Sequence, residues 1–152
     1  MAKDMIINIQ VTELPRSIAF YEAIGFVKHP FFSDDTAVGM VLRSNTSIAV
    51  MLITREKFRS FTSTTKEVVD ACKASEVLLA LTAETREEVD EIAETAVKAG
   101  GGAHPIVESG FDEVYYRQYE DPDGHIWEAV WVGNECKKKA KEVLAAVLGE
   151  KK

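Results

Sequence analysis

The residues with the clearest chemical potential lie in one short segment near the C-terminal end, residues 121–132, which read DPDGHIWEAVWV. Proline fixes one backbone φ angle and glycine accepts a positive one, so the first four residues predict a tight turn. The β-branched and aromatic residues that follow predict a strand over 125–132. Glu128 is the single carboxylate in that strand. An acid at such a position either accepts hydrogen bonds from nearby polar groups, or it binds a ligand or transfers a proton.

The two-residue alternation of a β-strand decides which residues share a face with Glu128. Its own face carries Ile126, Val130 and Val132, and the opposite face carries Trp127, Ala129 and Trp131. The same alternation places His125 on the opposite face, because its offset from Glu128 is odd. All the histidines lie at predicted strand ends or in loops, where a surface or capping role is expected: His29, His104 and His125.

Length and composition limit the class of protein. The chain has 152 residues, enough for one domain with a real core, and we predict a single domain over 1–152. A formal net charge of −7 and a pI near 5.0 argue against nucleic acid or an anionic membrane as a partner. No apolar run approaches the roughly 20 residues of a membrane span. Cys72 and Cys136 lack metal-binding spacing, so we expect reduced thiols in a cytoplasmic protein.

Hydrophobic periodicity predicts the same order of elements twice, a strand, a helix and three strands. The first module covers about 5–54, with strands at 5–11, 25–31, 37–43 and 47–54 and a helix at 14–24. The second covers about 76–132, with strands at 76–83, 103–108, 113–120 and 125–132 and a helix that begins at a capping box of Thr85 and Glu88. This order favours mostly antiparallel sheet and an α+β fold.

Two further segments lie outside the modules. Residues 55–75 are polar and rich in Ser and Thr, and we expect a loop with one or two short helical turns. That loop is either a connector between the modules or a lid over a pocket. Residues 134–148 predict a C-terminal helix capped by Asn134, with an apolar stripe that should dock on a sheet of this chain or of a partner: Ala140, Val143, Leu144 and Val147.

Two phrases in the sequence resemble the signatures of a known superfamily. VTELPRSIAFYEAIGF resembles the first-helix signature of the vicinal oxygen chelate superfamily, and EDPDGHIWEAVW resembles its last-strand signature. The superfamily includes glyoxalase I, extradiol dioxygenases, fosfomycin-resistance enzymes and bleomycin-resistance proteins. The resemblance covers residues 5–132 and implies two βαβββ modules whose curved sheets form a cup, in a protein that is commonly a homodimer.

The resemblance also implies where a divalent metal ion would be held. In metal-dependent members one ligand is the glutamate of the last strand, which is Glu128 here. The other ligand positions fall on Ile6, Met51 and Leu78 by the same register. Apolar side chains cannot replace the oxygen and nitrogen ligands that such an ion requires. We therefore expect no metal site and no cofactor.

The same register implies which side chains line the concave face of the cup. Apolar positions surround a few polar groups there, a composition that suits a small organic ligand. Glu128 is the candidate catalytic residue among them. The predicted ligand-binding set is Asn8, Gln10, Met51, Leu78, Tyr116, Gln118 and Glu128.

Three functions remain open on this reading. The favoured one is a metal-free protein that binds a small molecule in the cup near Glu128, as in the bleomycin-resistance members. The second is a lyase or dioxygenase, with a metal ion at a displaced site or with Glu128 as general base. The third is an interaction module whose cup is vestigial. Fold alone does not choose between them.

Overall fold

The computed structural model describes residues 4–62 and 65–149, and both predicted modules are present in it. The first module consists of β1 (Met5–Val11), α1 (Leu14–Ala23), β2 (Phe26–Ser33), β3 (Ala37–Leu42) and β4 (Ile48–Thr54). The second consists of β5 (Leu78–Ala83), α3 (Arg86–Lys98), β6 (Gly102–Ala103), β7 (Val114–Glu120) and β8 (Ile126–Val132). The connector contains α2 (Arg55–Phe61), and α4 (Asn134–Leu148) follows the second module.

Each module forms one four-stranded sheet. The order is β1-β4-β3-β2 in the first sheet and β5-β8-β7-β6 in the second. The pairs β1–β4 and β5–β8 are parallel, and the other pairs in both sheets are antiparallel. The predicted α+β class with mostly antiparallel pairing is confirmed. Because the two modules have the same topology, β1 and β4 occupy the positions in the first sheet that β5 and β8 occupy in the second.

One face of each sheet packs on the helices, and we call the other the open face. Alternate residues of β1, β4 and β8 are fully buried on the helix side, among them Val11, Leu52 and Trp127. Each such side chain contributes roughly 1.5–3 kcal/mol through burial. Tyr21 of α1 meets Trp127 of β8 edge to face, with ring centroids 5.9 Å apart. The two modules therefore share one hydrophobic core, while both open faces stay outside it.

The ends of the helices agree in part with the sequence. Thr85 caps α3 as predicted, because its hydroxyl accepts the backbone N–H of Glu88 at 3.1 Å. The prediction that Asn134 caps α4 is wrong. Gly133 occupies the cap position without a side chain, and Asn134 is the first helical residue. The extended backbone of Gly133 leads directly into the helix, which therefore begins one residue earlier than predicted.

Two other elements differ from expectation. The strand predicted at 103–108 is reduced to Gly102–Ala103, since Pro105 has no N–H to continue the ladder. No residue of α4 is buried, so its apolar stripe is not docked on the described part of its own chain. Within the described ranges, no helix combines the length and the apolar character needed to cross a membrane.

Candidate functional site

Glu128 lies in the middle of β8 on the open face of the second sheet, where its side chain is half-buried. Its cross-strand neighbours are Gln118 on β7 and Ala80 on β5. The Gln118 amide nitrogen donates a hydrogen bond to Oε2 of Glu128 at 3.1 Å. This is the only hydrogen bond to the carboxylate among the described residues. The acid is thus oriented by one amide and keeps most of its accepting capacity.

The other predicted residues of the second sheet share this face. Tyr116 lies two residues before Gln118 on β7 and pairs with Val130. Leu78 begins β5, pairs with Ile126 and is about half exposed. The structure therefore brings together the part of the predicted set that lies on the second sheet, which we call the second half-site: Leu78, Tyr116, Gln118 and Glu128.

A first half-site lies on the open face of the first sheet and consists of Asn8, Gln10 and Met51. Asn8 and Met51 are direct partners in the parallel pair of β1 and β4. The side-chain oxygen of Gln10 accepts a hydrogen bond from the Arg55 guanidinium at 3.3 Å. Arg55 also donates to the backbone oxygen of Val68, so the connector is tied to β1. No hydrogen bond or ion pair joins the two half-sites within the residues described.

His29 belongs to the same cross-strand row, although the sequence indicated a strand end or loop. The row runs from Asn8 through Met51 and Gly39 to His29. A bulge after His29 folds Phe32 over the glycine, because the pairing shifts between His29 and Ser33. The His29 and Phe32 rings lie 4.8 Å apart. Continuing the alternation of β3 and β4 across to β2 would have found this residue.

The donor set does not fit the metal ion that the resemblance implies. In residues 4–62 and 65–149, no three His, Cys, Asp or Glu side chains lie close enough to hold a metal ion. Around Glu128 the neighbours are an amide, a methyl group and aliphatic side chains. A hard divalent ion requires several oxygen or nitrogen ligands in fixed geometry. The described residues around Glu128 therefore do not form a site for such an ion.

The aspartates of the DPDG turn have a structural role that the sequence did not reveal. Asp123 is buried and accepts hydrogen bonds from the backbone of Thr12, from Arg16 and from Ser17, each at 2.9 Å. Arg16 forms an ion pair with it. Because Thr12 precedes the first helix and Arg16 and Ser17 lie in its first turn, Asp123 fastens the first module to the last turn of the second.

Asp121 anchors a second buried chain of hydrogen bonds. It accepts from the Tyr21 hydroxyl at 2.8 Å, and that hydroxyl accepts from the Trp127 ring nitrogen at 3.1 Å. Nδ1 of His125 lies 2.9 Å from the same carboxylate. Burial, and then the adjacent Asp121 charge, raise the pKa of Tyr21 well above its usual value. The phenol therefore stays neutral and remains a donor.

The connector covers a cavity of about 360 Å³ beside β1. Asn8 and Gln10 of the first half-site contribute to its wall, whereas Met51 and the second half-site do not. Most of the wall is apolar and comes from α2, the connector and the starts of β5 and β8. Of the two roles left open for residues 55–75, the lid over a pocket agrees with this geometry.

Known proteins place this architecture in a family. Residues 6–129 match the model of the Glyoxalase/Bleomycin resistance protein/Dioxygenase superfamily. Hypothetical protein SA1046 from S. aureus is 28% identical, with a TM-score of 0.68 over 86% of this chain and 95% of that one. None of the curated proteins matches the chain.

Two solved structures below 25% identity support the fold alone. A glyoxalase/bleomycin resistance protein/dioxygenase family enzyme from Burkholderia phytofirmans PsJN is 18% identical, with a TM-score of 0.73 over 87% of this chain and 100% of that one. The fosfomycin resistance protein FosX from Listeria monocytogenes, complexed with Mn(II) and sulfate, is 17% identical, with a TM-score of 0.66 over 93% and 98%. The match over residues 6–129, which is most of the chain, shows that the chain belongs to the glyoxalase/bleomycin resistance protein/dioxygenase superfamily.

Proposed function

We propose that this chain binds a small organic molecule on its open faces without a metal ion, and that Glu128 makes the principal polar contact. The observation that carries the proposal is the state of the Glu128 carboxylate. It is half-buried, and among the described residues it accepts a hydrogen bond only from Gln118. A carboxylate has room for about four such bonds. A hydroxyl, amide or ammonium group of a ligand would complete them.

The surroundings of Glu128 support a ligand with a largely apolar body. Tyr116 and Gln118 are the polar neighbours, and Leu78, Ile126 and Val130 present aliphatic surface on the same face. Small-molecule sites commonly combine an apolar wall with a few polar groups that fix orientation. Asn8 and Gln10 on the first sheet offer two further amides if a ligand reaches both half-sites.

Catalysis is the second candidate function, and the same carboxylate favours it. No cationic side chain is paired with Glu128 among the described residues, so the acid is free to act as a general base on a bound C–H or O–H group. Such an enzyme would be a lyase or dioxygenase of this superfamily. The glyoxalase, bleomycin-resistance and fosfomycin-resistance proteins that the chain resembles suggest the range of ligands to try.

The proposal includes a homodimer in the cytoplasm. Its support is the exposed apolar stripe of α4, where Val143, Leu144, Val147 and Leu148 are each more than half exposed. Monomeric proteins rarely leave such a contiguous patch in water. Since α4 is not buried by its own chain, a second copy is the simplest cover.

Glu128→Gln tests the role of the carboxylate, because it keeps the shape and removes the charge. Bleomycin, fosfomycin and a library of small organic fragments would be titrated into the whole protein by calorimetry with EDTA present. For a compound that binds, the substitution should weaken affinity roughly tenfold or more, the loss of one charge-assisted hydrogen bond worth about 1.5–3 kcal/mol.

The matched control is Glu91→Gln on the exposed surface of α3, which removes the same charge far from the open faces. It should leave affinity unchanged. A bound compound whose affinity ignores Glu128→Gln would make Glu128 a structural residue. Binding that appears only after EDTA is replaced by a divalent metal would contradict the metal-free mode.

A further inference from the structure

The cavity beneath the connector contains a histidine whose orientation is fixed from outside the cavity. Its wall includes the apolar side chains of Phe58, Val69, Val77 and Ile126, together with His125. Its volume of about 360 Å³ lies within the range of small-molecule sites, roughly 300–1,000 Å³. Glu128 is not part of this wall, and the cavity adjoins the second half-site only through Ile126.

His125 is held by the Asp121 carboxylate, whose side chain is fully buried. Nδ1 of the imidazole lies 2.9 Å from Oδ2 of Asp121, and the ring itself is 15% exposed. The other partners of this carboxylate all donate to it: the Tyr21 hydroxyl and the backbone N–H groups of Asp123 and His125. The ring is therefore locked on one side by a group that only accepts.

This arrangement determines the tautomer of the neutral ring. Because Asp121 accepts, Nδ1 of His125 carries the proton, and Nε2 is left with a lone pair. Nε2 makes no hydrogen bond among the described residues. His125 lines the cavity and Asp121 holds its Nδ1, which leaves the opposite edge of the ring, with Nε2, available to a ligand. The cavity thus contains a preoriented hydrogen-bond acceptor.

The charges around the wall indicate which ligands suit this acceptor. Lys66, Glu67 and Glu76 line the cavity, so its ionisable groups are mixed, with an acidic excess. A fully anionic ligand would meet those two carboxylates. A neutral hydroxyl compound avoids them and can donate its proton to Nε2, while its ring fills the apolar wall. The amides of Asn8 and Gln10 supply further donors and acceptors at the β1 side.

We propose that this cavity is a second binding site, for a small phenol-like molecule whose hydroxyl donates a hydrogen bond to Nε2 of His125. The site does not include Glu128, although it shares Asn8 and Gln10 with the first half-site. Asp121 acts as a positioning residue, because it holds the ring and selects its tautomer without contacting the ligand. Phe58 and Val69 enclose the aromatic body from the side of α2 and the connector.

The first test uses 4-methylphenol, whose hydroxyl keeps its proton at neutral pH, titrated into the whole protein by calorimetry. His125→Phe keeps a planar ring and removes the acceptor, and it should weaken binding about tenfold, the effect of one hydrogen bond. The matched control is His104→Phe, which removes a histidine that pairs with Glu120 and does not line the cavity. The control should leave the affinity for 4-methylphenol unchanged, and a loss of that affinity in Glu128→Gln would show that the cavity and the Glu128 face are one site.

Two further measurements keep the test decisive if His125→Phe folds poorly. Ala74→Trp places a large side chain from the connector into the cavity and should abolish binding of 4-methylphenol. In the unsubstituted protein, nitrogen-15 NMR should show His125 with its proton on Nδ1. A proton on Nε2, affinity indifferent to both substitutions, or benzoate binding as tightly as 4-methylphenol would overturn the proposal.

Discussion

Two buried tyrosines on the helix side of the sheets differ in whether their hydroxyl groups form hydrogen bonds. The Tyr21 hydroxyl joins Trp127 to Asp121, whereas the Tyr119 hydroxyl has no hydrogen-bond partner among the described residues. An unsatisfied buried polar group costs free energy, and a satisfied one that is removed leaves its partners unpaired. The two hydroxyls should therefore respond differently to the same substitution.

Tyr21→Phe should lower the free energy of unfolding by about 1–3 kcal/mol, because Trp127 and Asp121 each lose a partner. Tyr119→Phe should leave it unchanged or raise it, since only an unpaired hydroxyl is removed. Urea unfolding of both variants at neutral pH provides the comparison. Equal losses in the two variants would contradict the hydrogen-bond network described above.

The same two residues predict a loss of stability in alkali. Burial raises the pKa of both phenols, and the neighbouring negative charge of Asp121 raises it further. Above about pH 10 the unfolded chain releases these protons while the folded chain keeps them, so stability falls as the pH rises. Each tyrosine contributes up to about 1.4 kcal/mol per pH unit there. Tyr119→Phe should give a shallower decline in urea unfolding above pH 10, and an identical slope would contradict this.

For single residues, the sequence predicted a contact between adjacent strands but missed contacts between residues far apart along the chain. Strand alternation and the family register placed Glu128 and Gln118 on one face, and the structure pairs them. Asp123 meets Thr12 across 111 residues of chain, a contact that no local pattern records. The alternation of β8 does not extend to His125, because the strand begins only at Ile126, and the face predicted for this histidine stays a prediction.

The glycines after α3 show how one element fixes the next. Gly100 has a φ of +97° and follows the C-terminal end of α3. Gly101 has ordinary φ but no free space, since a Cβ atom there would lie 2.8 Å from the Phe20 ring and 2.9 Å from the oxygen of Ala96. Its fixed neighbours include the backbone of β7. This close approach docks the end of α3 between the first helix and the second sheet.

Gly101→Ala should therefore destabilise the protein by about 2–4 kcal/mol, in the range of overpacked core positions. Gly102→Ala is the matched control, because its added methyl group would meet only the flexible side chain of Glu120, at 3.0 Å. We expect a loss below about 1 kcal/mol for the control. Thermal or urea unfolding of the two variants decides, and similar losses would contradict a rigid contact at Gly101.

Long periodic elements were predictable, and short or irregular ones were not. The helix at 14–24 and the capping box at Thr85 follow from local residues, and both are present. The bulge after His29 depends on Gly39, which lies opposite on β3. The alternation within β2 therefore could not predict that this strand continues to Ser33. Likewise β6 is short because its ladder meets a proline.

At the scale of the whole molecule, the two modules are joined on their helix side and open on the other. Asp121 and Asp123 fasten the last turn to the first helix, and the shared core lies behind them. The sequence predicted two modules and a connector but could not predict this clasp. The result leaves both open faces, and the stripe of α4, available to a ligand or a second copy.

The dimer proposed for α4 has a direct test. Leu144→Lys and Val147→Lys together would place two charges in the apolar stripe without touching the core, since neither residue is buried. Light scattering should show twice the chain mass for the unsubstituted protein and a lower mass for the double variant at the same concentration. Unchanged mass in the variant would show that α4 does not form the interface.

The central claim is that the open face around Glu128 binds a small organic molecule without a metal ion. Its most direct measurement is a fragment screen by two-dimensional NMR on the whole, isotope-labelled protein with EDTA present. The account predicts that binding fragments shift the signals of Glu128, Gln118 and Tyr116, and that Glu128→Gln removes those shifts. Shifts confined to other surfaces, or shifts at Glu128 only after a divalent metal replaces EDTA, would contradict it.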